Sequence, residues 1–208
     1  MGVEKVILIY ESVLVVACLA LSLHAYPDTC RTILWQCGGT EGWNSDPHDR
    51  IYFYANYREP PPVPKIWSEE TIESHLAISA TSTMAWLIRI VLVRYQISGI
   101  RWITTMFTML LMAFWAISIH AQISGDLSDP EHASAWPWYL VHACGGLDYP
   151  EWRCCMLARL FLAASGNLLA LYVGIFVWCV QGFFRAEHEK REEDVKLSTL
   201  AFVIDASR

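Results

Sequence analysis

The chain has 208 residues, 54% of them hydrophobic and 17% charged, with a formal net charge of −6 at pH 7. A soluble domain carries about a quarter charged residues. Here the shortfall is concentrated in long apolar runs, which excludes an ordinary soluble globule. The acidic balance, without a basic patch, a phosphate-binding glycine loop or a nucleophile–base constellation, argues against nucleic acid as a partner and against common catalytic chemistry.

Apolar runs lie near residues 6–25, 76–95, 102–122 and 156–180. Each reaches the roughly 20 residues a helix needs to cross a hydrocarbon core of about 30 Å. They are too long for the short alternating strands of a barrel. The predicted fold is an all-α membrane protein: a four-transmembrane-helix bundle with a small disulfide-tied outer cap. A transmembrane domain over 1–182 has outer loops at 26–75 and 123–155, and residues 183–208 form a cytoplasmic tail.

The first run follows Lys5 and carries Glu11 about two turns in. It can also be read as a cleaved signal peptide ending at Ser22-Leu23-His24-Ala25, but its length, Glu11 and Leu23 argue for a retained helix. The first outer loop then presents Cys30, Leu34-Trp35-Gln36-Cys37 and Gly38-Gly39, with the glycines expected in a turn. The aromatic, β-branched segment 51–57 favours a strand, and Pro60, Pro61, Pro62 and Pro64 enforce an extended linker. Ser68 is an N-cap for the second helix, which carries Glu73 and His75 at its outer end and Arg89 deeper.

Within this second helix Ala77, Thr81 and Ala85 form a small-residue ladder at four-residue spacing. The 2–3 connection is short and holds Arg94 and Arg101, and the third helix ends at His120. The second outer loop is acidic and rich in Trp: Trp136, Trp138 and Trp152 suit the headgroup level or packing on the other loop. The fourth helix carries Arg159, Asn167 and a second ladder, Gly166, Ala170 and Gly174, predicting close packing of helix two on helix four. The charged stretch Glu187 to Lys196 extends it into the cytoplasm, and residues 197–204 are apolar but too few to span.

Basic residues set the orientation. Arg94, Arg101, Arg185, Lys190 and Arg191 flank the side that holds both termini. The first outer loop has four basic residues against eight acidic ones, and in the second Arg153 stands alone against five acids. Both long loops are therefore expected outside or in a lumen, in a plasma or other secretory-pathway membrane, with N- and C-termini cytoplasmic.

Ionisable groups in lipid are costly and suggest function by default. For Glu11 and Arg89, a structural ion pair between antiparallel helices is favoured over transport. Arg159 can snorkel to the interface, and Asn167 can bond to a neighbouring helix. His24, His75 and His120 share the outer level, where neutral imidazoles can hold zinc, copper or haem. None has motif spacing, so no metal and no cofactor is expected. Cys30, Cys37, Cys144, Cys154 and Cys155 fall in or beside the outer loops, where an oxidising compartment permits disulfides. Cys30–Cys37 can close the first loop, and Cys144 with Cys154 or Cys155 the second. Cys18 and Cys179 read as small core hydrophobes.

The layout, together with Leu34-Trp35 followed by Cys37, resembles the claudin-like and MARVEL-type tetraspan proteins. The spacing is one residue short of the claudin-type signature, and the downstream cysteine of that signature is missing. Cys144 and Cys154-Cys155 look more like fungal MARVEL-type proteins. The resemblance implies a small outer sheet, for which 51–57 is suited, and a role in membrane organisation, cell contact or partner assembly. The expected function is a non-enzymatic scaffold whose partners are membrane lipids, other membrane proteins or copies of itself. An accessory subunit of a channel, transporter or respiratory complex is the alternative. A quinone-linked thiol–disulfide oxidase is the enzyme alternative, although the close Cys-x-x-Cys pair of such oxidases is missing.

Overall fold

A computed structural model describes residues 3–95 and 100–206. Among the described residues seven α-helices follow in chain order: α1 (Val3–Ala25), α2 (Arg31–Thr40), α3 (Asp49–Ala55), α4 (Glu69–Arg94), α5 (Ile100–Gln122), α6 (Trp138–Val141) and α7 (Tyr149–Ala206). A 3-10 turn, Lys65–Trp67, precedes α4. Four helices are long and apolar enough to cross a membrane: Lys5–Ala25, Glu69–Arg94, Trp102–Gln122 and the stretch Tyr149–Asp194 of α7. The protein is thus a four-helix integral membrane bundle carrying a small, disulfide-tied helical cap. Residues 96–99 of the 2–3 connection lie outside the described residues, as does the side chain of Arg101.

The spanning helices form a ring in which α1 touches α4 and α7, and α5 touches α4 and α7. Helices two and four of the bundle, α4 and α7, therefore stand across a diagonal. This corrects the packing expected from the small-residue ladders. Gly166 and Gly174 have open space where a Cβ would be, and Ala170 is exposed. Ala77 and Thr81 also face outward, and only Ala85 of that ladder is buried. Volume decides the interior instead, because van der Waals packing drives helix association in lipid. Val15, Leu111, Trp115, Leu168 and Tyr172 fill it.

Polar pairs cross between the helices. Ser22 Oγ and Ser79 Oγ are 2.9 Å apart, and Trp115 Nε1 donates to Ser82 Oγ at 2.9 Å. Glu11, with 1% of its surface exposed, forms an ion pair with Arg89 across α1 and α4. Asn167 accepts from Tyr10 Oη at 3.0 Å, joining α7 to α1. Each pair satisfies groups that are costly to bury alone.

Segment 51–57 is not a strand. Residues 49–55 form α3, and among the described residues the β structure is limited to a single bridge between Asp126 and Ser134. β propensity expresses fit to a pleated, half-buried surface, and no partner strand lies beside this segment. Asp49 in the first turn favours the helix electrostatically. The helix ends at Ala55 with Asn56 as its C-cap, and Tyr57 beyond it takes φ 54°. Arg58 N–H then donates to Phe53 O at 2.9 Å and Tyr57 N–H to Tyr54 O at 3.1 Å, the Schellman pattern. Helix α7 also starts earlier than the apolar run, at Tyr149, with Pro150 in its first turn where a missing N–H costs nothing. It continues unbroken past residue 183, so no secondary-structure boundary separates bundle and tail.

Candidate functional site: the disulfide-tied cap

The cap grows from the two long loops. Asp28 organises its start: the carboxylate accepts from Thr32 N–H at 3.2 Å and from both Nε and Nη2 of Arg31, at 3.0 and 2.8 Å. Burial opposes ionisation of Asp28, but these bonds win and hold its carboxyl below the ordinary range. The bonds satisfy N-terminal donors of α2 that would otherwise be orphaned. Arg31 Nη1 meanwhile donates to Trp67 O at 2.7 Å, joining α2 to the turn before α4.

Aromatic rings build the cap core. Trp35 and Trp67 stack at 6.2 Å with planes 4° apart, and Tyr139 meets Trp67 edge-on at 6.4 Å. Trp138 packs against Trp43 at 5.2 Å, and Trp43 stacks on His142 at 4.3 Å. Three of the indole N–H groups are spent on other cap segments: Trp35 to Ser45 O at 2.9 Å, Trp138 to Leu34 O at 2.8 Å and Trp67 to Asp126 Oδ2 at 3.1 Å. Of the second-loop tryptophans only Trp138 packs on the other loop; Trp136 and Trp152 are exposed.

Gly38 and Gly39 are not a turn. They lie within α2, where a side chain on Gly38 would overlap Asn44 and the Trp138 indole. Gly145 and Gly146 instead form a turn, next to the Cys144–Cys155 bridge.

The disulfides are Cys30–Cys154 and Cys144–Cys155, with Cα–Cα distances of 5.2 and 6.0 Å. The first corrects the expected Cys30–Cys37 pairing, because residues 31–40 are helical. Seven residues of α-helix separate Cys30 from Cys37 by about 10 Å, beyond the roughly 7 Å a disulfide can bridge. Instead Cys30 reaches the first turns of α7 and ties the first loop to the fourth spanning helix. Cys155 takes Cys144, so the adjacent cysteines of α7 anchor both loops. Cys37 remains a buried free thiol, pushed up to about 11 by burial and then by Glu151 and Glu41.

Asp126 is the residue sequence reasoning missed. It is 3% exposed and joins three segments. Its Oδ2 accepts from Ser45 N–H and Oγ, at 3.2 and 2.6 Å, and from the Trp67 indole; its Oδ1 accepts from Ser128 N–H and Oγ, at 3.1 and 2.7 Å. In sequence it is one of several loop acids, and no spacing distinguishes it. Asp129 of the same loop is half-buried and bonded to His132 Nδ1 at 2.7 Å.

Arg159 does not snorkel. Its Nε and Nη2 donate to Tyr139 O and His142 O, each at 2.6 Å, and so hold the end of α6. The three histidines do not form one site, although His24 and His75 line the same cavity between cap and bundle. His24 Nε2 accepts from Arg153 at 2.8 Å, His120 is exposed, and His75 packs on Phe161 at 5.1 Å. No group of three metal-ligating side chains is found among the described residues.

What remains open is α3. None of its residues is buried; Ile51, Tyr52 and Tyr54 are exposed, and the neighbouring Tyr57 is wholly so. Arg50 Nη1 donates to Pro61 O at 2.6 Å and pins this aromatic helix to the proline arm. The cap therefore presents a short, exposed aromatic ridge tethered through Arg50. No family model matches the chain, and no curated protein or solved structure matches it.

Proposed function

We propose that the protein is a non-enzymatic membrane scaffold that organises membranes or cell contacts through its cap. The observation that carries this reading is the exposed aromatic ridge of α3, which belongs to the first loop of a cap tied by two disulfides to α7. Tyr side chains offer large, amphipathic contact area at low entropic cost, and interfaces are enriched in them. The four-span layout shared with claudin-like and MARVEL-type proteins supports the same reading. The cap faces outside or a lumen, where disulfides persist, and Arg94, Arg185, Lys190 and Arg191 keep both termini cytoplasmic. Cys37 favours a scaffold over a thiol oxidase, since a buried thiol with a raised pKa is a poor nucleophile.

The test is co-purification from mild detergent with thermal stability followed alongside. Replacing Tyr52, Tyr54 and Tyr57 together by Ser should abolish capture of partners or of a second tagged copy and leave the unfolding temperature unchanged. Retained assembly after that change would sink the reading.

An accessory subunit of a larger membrane complex is the second reading, favoured by the outward-facing Gly166, Ala170 and Gly174 of α7. Small residues let a further helix approach closely. In that case Gly166→Leu with Gly174→Leu should disrupt assembly while the monomer stays folded, and the tyrosine changes should be silent.

A further inference from the structure

Between the cap and the bundle lies a half-open cavity of about 120 Å³ with a mainly apolar lining. Its cap side is formed by Trp67, Tyr139 and the Cys30–Cys154 bridge; its bundle side includes His75, Gln122 and Phe161. An engineered apolar cavity of about 150 Å³ takes up benzene, so this space admits one ring. It differs from that dry cavity in one respect. His75 Nε2 and Gln122 Oε1 are both buried, and neither has a hydrogen-bond partner among the described residues.

Both atoms are acceptors, and their surroundings fix that role. His75 makes a hydrogen bond to the Ser118 backbone. Since Nε2 is the unpartnered nitrogen, Nδ1 donates in that bond and Nε2 carries the lone pair. Gln122 Nε2 donates to Ser118 Oγ and Ser165 Oγ, each at 3.2 Å. Ser165 has committed its own proton to Phe161 O at 2.7 Å, so it can only accept from the amide, and Oε1 faces away as an acceptor. The nearby charge is already used: Arg31 is bound to Asp28 and Trp67 O. The Tyr139 hydroxyl is spent on Gln122 O. Two buried acceptors beside an apolar ring-sized space, with no free charge, define what fits.

We propose that this cavity binds a neutral, ring-sized apolar molecule through a hydroxyl that donates to His75 Nε2 or Gln122 Oε1. A free phenol and the hydroxylated ring of a membrane sterol share this chemistry. A buried acceptor left without a donor costs more than a made hydrogen bond gains, so the site selects hydroxylated rings over plain ones. This inference does not depend on the scaffold reading, because it concerns the space beneath the cap rather than the exposed ridge.

The experiment uses the full chain in detergent micelles, titrated calorimetrically with phenol and with toluene against protein-free micelles. Phenol is expected to bind saturably, and toluene, which has the same ring and no hydroxyl, about tenfold or more weakly. Of His75→Phe and Gln122→Leu, the one that removes the accepting atom should weaken phenol by about tenfold, and both should leave toluene unchanged. Repeating the titration in lipid nanodiscs with and without cholesterol separates the sources: competition by cholesterol assigns the site to a membrane sterol, and its absence to a free phenol. Water filling the cavity, read as no saturable phenol binding, overturns the proposal. Equal binding of phenol and toluene to the unaltered protein overturns it too, and needs no variant to fold.

Discussion

The indole Nε1 of Trp67 donates to Asp126 Oδ2 at 3.1 Å, tying the residue before the second spanning helix to the loop after the third. Ser45 of the first loop donates to the same oxygen. The carboxylate thereby joins the two loops at the edge of the aromatic cap core.

Asp126→Ala should lower stability by about 3 kcal/mol or more, since several donors lose their acceptor at once. Asp126→Asn should not rescue it: both carboxylate oxygens face donors, so an amide NH2 on either side meets N–H or O–H groups. Asp129→Asn, which loses one bond to a partner open to solvent, should cost far less. Thermal unfolding in detergent, followed by Trp fluorescence, ranks the three. Charge reversal at Asp126 is accordingly a folding lesion.

Peptide mapping without reduction should recover Cys30–Cys154 and Cys144–Cys155 from protein made in an oxidising compartment. Cys37 should alkylate only after denaturation, because its thiol is buried and pushed up to about 11. By the chain-entropy argument the longer bridge, spanning 124 residues, contributes about 5 kcal/mol and the shorter about 3. Cys154→Ser should therefore cost more than Cys144→Ser. A Cys30–Cys37 peptide would contradict the helical course of α2.

The Glu11–Arg89 pair lies within the bundle and is nearly closed to solvent on the carboxylate side. Glu11→Gln or Arg89→Met alone should destabilise by about 3–5 kcal/mol, because each leaves one buried charge or partner uncompensated. The double replacement should recover most of that loss. Were the double variant as unstable as the worse single one, the pair would be contributing more than mutual neutralisation.

The loop pair Asp129–His132 gives a pH signature. The hydrogen bond from His132 lowers the Asp129 pKa, and the same bond raises that of His132. The histidine's contribution is complete below its ordinary value of 6.5 and is lost as pH rises through its raised folded value. The carboxylate's contribution is complete above its ordinary 3.8 and is lost as pH falls through its lowered folded value. The contact should thus be strongest between those two ordinary values. NMR titration of His132 should show a midpoint above 6.5, falling towards it in Asp129→Asn.

Sequence alone determined that four helices cross a membrane, where the loops fall, and which charged residues the lipid would force into company. These are one-dimensional properties, since about 20 apolar residues must span and an isolated Glu11 must find a cation. The tertiary structure decided the rest. Segment 51–57 became a helix because strand propensity needs a neighbouring strand. Cys30 chose Cys154 over Cys37 because two turns of helix hold nearby cysteines too far apart. Helix order around the ring followed from the volumes of Trp115, Leu168 and Tyr172 rather than from the glycine ladder, and Gly166 and Gly174 ended up facing outward. Asp126 and His75 acquired their roles only when distant segments closed around them, because burial and unpaired lone pairs are properties of a surrounding that no local spacing encodes.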